Sequence, residues 1–173
     1  MSKASTIVRI MILASLITII MTCNILAAGI PTGESLLASI RDEGPKPVLA
    51  RLWADHEVFD QICSRIESGD PLWLKVASAL RPAADAASAE ELDFSVARAL
   101  PNSPRGVLSM IGKGFDLEWV CTSPFIEESI DIEKAYLHKA EKALVKLNAI
   151  DVEETRKKCL LRIQDILKKL DKQ

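Results

Sequence analysis

Two histidines, a run of acids and three cysteines beyond the N-terminal segment are the residues of this chain whose types could do chemistry. His56 and Cys63 share a face, with Phe59, of a helix predicted over 48–68. A Cys–His pair is a familiar beginning for an activated nucleophile. Seven residues of helix, however, separate the two by about 10.5 Å, against the ~3 Å over which a base takes up a proton. His56 therefore reads as a helix histidine beside Trp53 and Asp60, and Cys63, within an apolar stripe, as a small hydrophobe. His138 lies among Lys139, Glu141 and Lys142 on a solvated face and is given no role.

Glu127, Glu128, Asp131 and Glu133 are close enough in sequence to gather a hard cation, which prefers several carboxylates. They lack the D-x-[DN]-x-[DN]-G order of a calcium loop, and acids near a helix N-terminus are accounted for by its dipole. No metal is assigned. No G-x-S-x-G, H-E-x-x-H or G-x-x-x-x-G-K-[ST] occurs, so no reaction, nucleotide or cofactor is specified.

Cys63, Cys121 and Cys159 show no C-x-x-C spacing, so neither a zinc site nor a thioredoxin-like motif is readable. In an oxidising compartment an odd number means one disulfide and a thiol left over, or an intermolecular bond. The expected pair is Cys121–Cys159. Cys159 lies on the apolar face of the last helix, and Cys121 in a loop-like stretch before the final helix pair. Closing that loop contributes about 3–4 kcal/mol in the chain-entropy model. Cys63–Cys121 and Cys63–Cys159 are the rival pairings. Trp73, Trp119 and Phe125 would be binding anchors if exposed and core if buried. In a chain with only 5% aromatics, core is the expectation.

The elements that must position these residues are helices. Ala and Leu are abundant and aromatics few, a helical composition. Short helices are predicted over 34–42, 48–68, 72–80, 88–100, 103–111 and, as a turn or helix, 116–121. Gly44-Pro45-Lys46-Pro47 stops the first, Gly69 the second, Pro82 the third and Pro101 the fourth. Asp70-Pro71 starts the third, and 72–80 (LWLKVASAL) is apolar on nearly every face, as in a helix central to a bundle. Ser88 with Glu91, and Asp151 with Glu154, have capping-box spacing, and Ser103-Pro104 and Ser123-Pro124 are cap-plus-proline starts.

Two longer helices, 131–148 and 151–170, have clear apolar faces and a connection of a few residues, which makes them an antiparallel hairpin. Val76-Ala77-Ser78-Ala79-Leu80 is echoed twenty residues on by Val96-Ala97-Arg98-Ala99-Leu100, so a short stacked array is the alternative to an irregular bundle. The fold class expected is all-α: an irregular bundle or short array of seven to eight helices, ending in a two-helix hairpin.

The N-terminal segment decides the compartment. Residues 1–9 carry only Lys3 and Arg9, residues 10–33 no charge, and 10–21 (IMILASLITIIM) are apolar. A basic start, an apolar middle and small residues at Ala27, Ala28 and Gly29 are the regions of a secretory signal peptide. Residues 1–29 are read as that signal and 30–173 as one exported domain. The rivals are an uncleaved inner-membrane anchor, since the uncharged run is about as long as a spanning helix, and lipidation at Cys23. Anchor and cleaved signal put the domain on the same side.

The charge is uneven. Residues 30–130 hold nine bases and sixteen acids, a net −7, and residues 131–173 hold eleven bases and eight acids, a net +3. Bases alternate with acids at i,i+4 spacing in the basic part, as on a solvated helix face. Without overall positive charge or aromatic–basic interleaving, nucleic-acid binding is excluded. The function expected is non-enzymatic: an exported, periplasmic helical protein that binds another envelope protein as an adaptor, inhibitor or immunity-type factor. The alternatives are a membrane-anchored structural protein of the envelope and an enzyme whose site the sequence does not assemble.

Overall fold

The computed structural model describes residues 30–125 and 127–172. The expected signal, with its cleavage region at Ala27, Ala28 and Gly29, lies outside the described residues. Residues Thr32–Gln173 form one compact unit, which is all-α, with no strand among the described residues beyond an isolated bridge between Ile111 and Phe115. Its helices are α1 (Gly33–Glu43), α2 (Pro45–Ala54), α3 (His56–Glu67), α4 (Pro71–Leu80), α5 (Ala86–Ala99), α6 (Pro104–Leu108), α7 (Leu117–Val120), α8 (Ile130–Lys146) and α9 (Glu153–Leu170). Short 3₁₀ turns at Arg81–Ala83 and Ile150–Val152 precede α5 and α9. Among the described residues no helix is long and apolar enough to cross a membrane.

The helix predicted over 48–68 is two helices, which brings the number among the described residues to nine. Asp55 leaves helical geometry at φ −113°, ψ 87° and accepts a hydrogen bond from the Val58 amide at 3.2 Å, capping α3. The apolar stripe does not reveal the break, because Leu52 and Phe59 stand seven residues apart, as they would on one continuous helix. At the other end the helix begins at Pro45, earlier than the predicted residue 48. Gly44, at φ 89°, ends α1, and Pro45 opens α2 at once in the first-turn position where its missing N–H costs nothing.

Two caps differ from the sequence reading. Asp85, not Ser88, caps α5: Ser88 sits at the third helical position, donates its hydroxyl to Asp85 Oδ1 at 3.0 Å and accepts from the Asp85 amide at 3.1 Å. Asp151 does not cap α9. It lies in the 3₁₀ turn and pairs with Arg105 of α6 at 3.1 Å. Ser123-Pro124 does not start a helix either, since α8 begins at Ile130 with Ser129 as its cap. Asp70-Pro71 and Ser103-Pro104 start α4 and α6 as expected.

Burial follows from the apolar faces. α4 is central: Trp73, Leu74, Val76, Ala77 and Leu80 are buried, and it packs against α1, α2, α3, α5 and α6. α3 lies along α5, and α8 along α9 as the expected hairpin. The twenty-residue echo corresponds to the last turns of α4 and α5, where Val76, Ala77, Leu80, Val96, Ala97 and Leu100 are all fully buried. One core runs through the unit, from Leu36 in α1 to Leu170 in α9. The Tyr136 hydroxyl of α8 donates to the Ala97 carbonyl of α5 at 2.6 Å, a buried polar bond that ties the hairpin into that core.

Candidate functional site

Cys121 and Cys159 form a disulfide, with Cα atoms 5.2 Å apart and both residues wholly buried, and among the described residues Cys63 is a free, buried thiol. Disulfides belong to oxidising, extracytoplasmic compartments. The bond joins the end of α7 to the N-terminal half of α9. Arg162, one turn further along α9, reaches the same short helix. Its guanidinium donates to the Glu118 carbonyl at 3.3 Å and pairs with the Glu118 carboxylate at 3.4 Å. A four-residue helix has no stability of its own, so these two ties to α9 and its packing on α5 hold α7 in place.

Trp119, on α7, is 48% exposed. It lines a cavity of about 550 Å³ together with Ala86, Ala87, Ala89, Glu90 and Asp93 of α5 and with Arg81. The floor is an ion pair: Arg81 Nε donates to Asp93 Oδ1 at 2.9 Å and Nη2 to Oδ2 at 3.0 Å. Asp93 is only 4% exposed, and the Arg81 guanidinium lies over the Phe115 ring at 5.6 Å. Sequence reading missed this pair. The signal was there, an aspartate set between two large apolar residues, Leu92 and Phe94, in a predicted helix.

The other aromatics named from sequence are elsewhere. Trp73 takes the core alternative: it is buried in α4 under the Arg65 guanidinium, 5.6 Å from the ring centre. Phe125 is half-buried, edge-on to Tyr136 at 5.4 Å, with the Arg98 guanidinium over it at 5.3 Å. Arg98 also donates to the Pro124 carbonyl and pairs with Glu67, so this group of residues is a structural clasp between α3, α5 and the chain before α8. The structure therefore does not bring Trp73, Trp119 and Phe125 together.

The polar candidates stay apart as well. His56 is the exposed first residue of α3, edge-on to Trp53 at 5.3 Å, and Cys63 is buried two turns further on. Burial pushes the Cys63 thiol up to about 11, and the nearby Ser95 hydroxyl offsets part of that rise. A thiol held protonated is a poor nucleophile. His138 is exposed, 3.6 Å from Glu141. Glu127, Glu128 and Asp131 are exposed, and Asp131 and Glu133 occupy the first turn of α8. Among the described residues no three His, Cys, Asp or Glu side chains come together in a way that could hold a metal ion. Burial also raises the Tyr136 phenol, whose hydroxyl is already engaged with Ala97.

Compared with known proteins, the chain matches no family model, no curated protein and no solved structure.

Proposed function

We propose that this is an exported helical protein of the bacterial periplasm that acts by binding another envelope protein. The observation that carries the reading is Trp119: a large aromatic, half in solvent, on a helix too short to be anything but a mount, braced by a disulfide and an arginine. Exposed aromatics on rigid mounts are the residues from which interface hot spots are built, because little conformational freedom is lost when they are covered. The compartment rests on the basic-then-apolar segment 1–29 and on the disulfide. An adaptor, inhibitor or immunity-type factor needs no site chemistry, only a surface.

The test is expression of the full chain in a Gram-negative host with a photo-crosslinking side chain at Ala87, on the α5 wall of the Trp119 groove. The same side chain at Lys158, an exposed α9 residue outside the groove, serves as control. The expected product starts near Gly29 or Ile30, is released by osmotic shock, and crosslinks to a second protein from position 87 and not from 158. A full-length product in the membrane fraction would overturn the cleaved periplasmic form in favour of the anchored one. Equal or absent crosslinking at both positions would overturn binding through this face.

A further inference from the structure

The Trp119 groove has a sign. Asp93, at its floor, has both carboxylate oxygens bound by Arg81, so that pair contributes no free charge. Glu90, one turn before Asp93 on the same face of α5, is exposed and has no ion-pair partner among the described residues. Glu118, next to Trp119, is engaged by Arg162. The groove thus offers one uncompensated carboxylate, a half-exposed indole, and the methyl groups of Ala86 and Ala89 in its lining. The segment around it is acidic too, with residues 30–130 at net −7.

An anionic occupant would meet Glu90 with no free cation to offset it, since Arg81 is committed. A purely apolar occupant would strip water from Glu90 and give nothing back. The side chain that satisfies all three surfaces has an apolar stem and a cationic end. Its methylenes lie along the alanines, its cation lies over the indole, and its N–H groups reach the carboxylate. We infer, resting on the protein-binding reading above, that the groove between α5 and α7 receives an arginine or lysine side chain from an extended segment of the partner protein. In this arrangement Trp119 covers the cation and Glu90 pairs with it.

The exported protein, ¹⁵N-labelled, is titrated with acetyl-Gly-Arg-Gly-amide, its lysine analogue, and the citrulline analogue, which keeps the shape of arginine without its charge. The readout is the Trp119 indole N–H resonance, assigned by its loss in Trp119→Phe. Saturable shifts with the arginine and lysine peptides are expected, with citrulline about tenfold weaker and Glu90→Gln lowering arginine affinity about fivefold. Equal shifts with citrulline, no effect of Glu90→Gln, or no saturable shift would overturn the inference.

In cells, Glu90→Lys is the second arm, on an exposed position that leaves the core intact. Loss of the position-87 crosslink supports the inference. An undiminished crosslink overturns the groove chemistry and leaves the protein-binding reading standing. Arginine-selective binding in solution with no protein ever crosslinked would do the reverse.

Discussion

Arg81 holds Asp93 side-on, through Nε and Nη2 to the two carboxylate oxygens at 2.9 and 3.0 Å, at the point where the 3₁₀ turn after α4 meets the middle of α5. Asp93 is nearly wholly buried at the floor of the groove, and the Arg81 guanidinium lies over the Phe115 ring. Breaking such a pair by removing one member leaves the other charge buried without a partner. Asp93→Ala is expected to cost about 3 kcal/mol, measured as a lowered urea midpoint at unchanged slope. The double variant Arg81→Met with Asp93→Leu, which removes both charges, should recover most of the loss. If Asp93→Ala is neutral, the pair does not stabilise the fold.

The Tyr136 hydroxyl and the Ala97 carbonyl give a smaller and more specific prediction. The same carbonyl also accepts from the Leu100 amide at 2.9 Å, so Tyr136→Phe leaves no orphaned acceptor. The cost should be that of one net hydrogen bond, about 1 kcal/mol, rather than a full desolvation penalty. A loss several times larger would show that the hydroxyl does more than join α8 to α5.

Cys63 and Tyr136 predict alkaline lability. The folded thiol titrates near 11 and the unfolded one near 9.0. Between these values the unfolded chain has given up the proton and the folded chain has not. Stability is therefore fully present below pH 9 and is lost as pH rises toward 11, by up to about 2 kcal/mol from this group. Tyr136 acts in the same direction at higher pH. Denaturant melts across pH 8–11 should show the decline, and Cys63→Ala should flatten it relative to its own value at pH 8. A parallel slope in the variant would assign the lability to other groups.

Gly69 and Gly112 separate two costs that are usually mixed. Both have positive φ, 76° and 80°. A Cβ on Gly69 would lie 2.8 Å from Ser103 Cβ and 3.2 Å from the Ser103 amide nitrogen, whereas one on Gly112 meets nothing within 4 Å. Gly112→Ala should cost only the left-handed backbone penalty, about 1 kcal/mol. Gly69→Ala should cost roughly 2–3 kcal/mol, because the α6 cap must also move. Equal thermal shifts for the two would mean that Ser103 yields freely.

Most of the architecture was legible because it depends on short-range chemistry. The Asp70-Pro71 and Ser103-Pro104 starts, the Gly69 stop, the apolar α4 and the C-terminal hairpin all follow from residues within a turn of one another. What was not legible required a third dimension or a choice between equal local signals. Asp55 breaks a stripe whose periodicity runs straight through it. Asp85 and Ser88 are both good caps, and the helix takes the earlier because the two can then bond each other. Asp151 has the spacing of a cap but is drawn to Arg105, 46 residues away. The Arg81–Asp93 floor and the exposure of Trp119 depend on how α5 and α7 meet, which no spacing along the chain reports. The Cys121–Cys159 pairing was the favoured one of three, because Cys159 lies on the apolar face of the last helix and Cys121 in the stretch before the hairpin.

That disulfide makes the last prediction, and it joins stability to the groove. The bond closes a loop of 38 residues, so Cys121→Ser with Cys159→Ser should lower stability by about 4 kcal/mol in the chain-entropy model. The local consequence should be larger than the global one. Leu117–Val120 is too short to persist as an isolated helix, and without the bond Arg162 would be left as a polar tie to α9. Amide hydrogen exchange over 117–121 should then rise well above that of α4 under conditions where the variant is still folded. Arginine-peptide binding should weaken in proportion, because Trp119 loses its fixed position while Glu90, on α5, keeps its own. If exchange at α7 rises only in step with the whole domain, the disulfide stabilises the fold at large and does not hold the tryptophan.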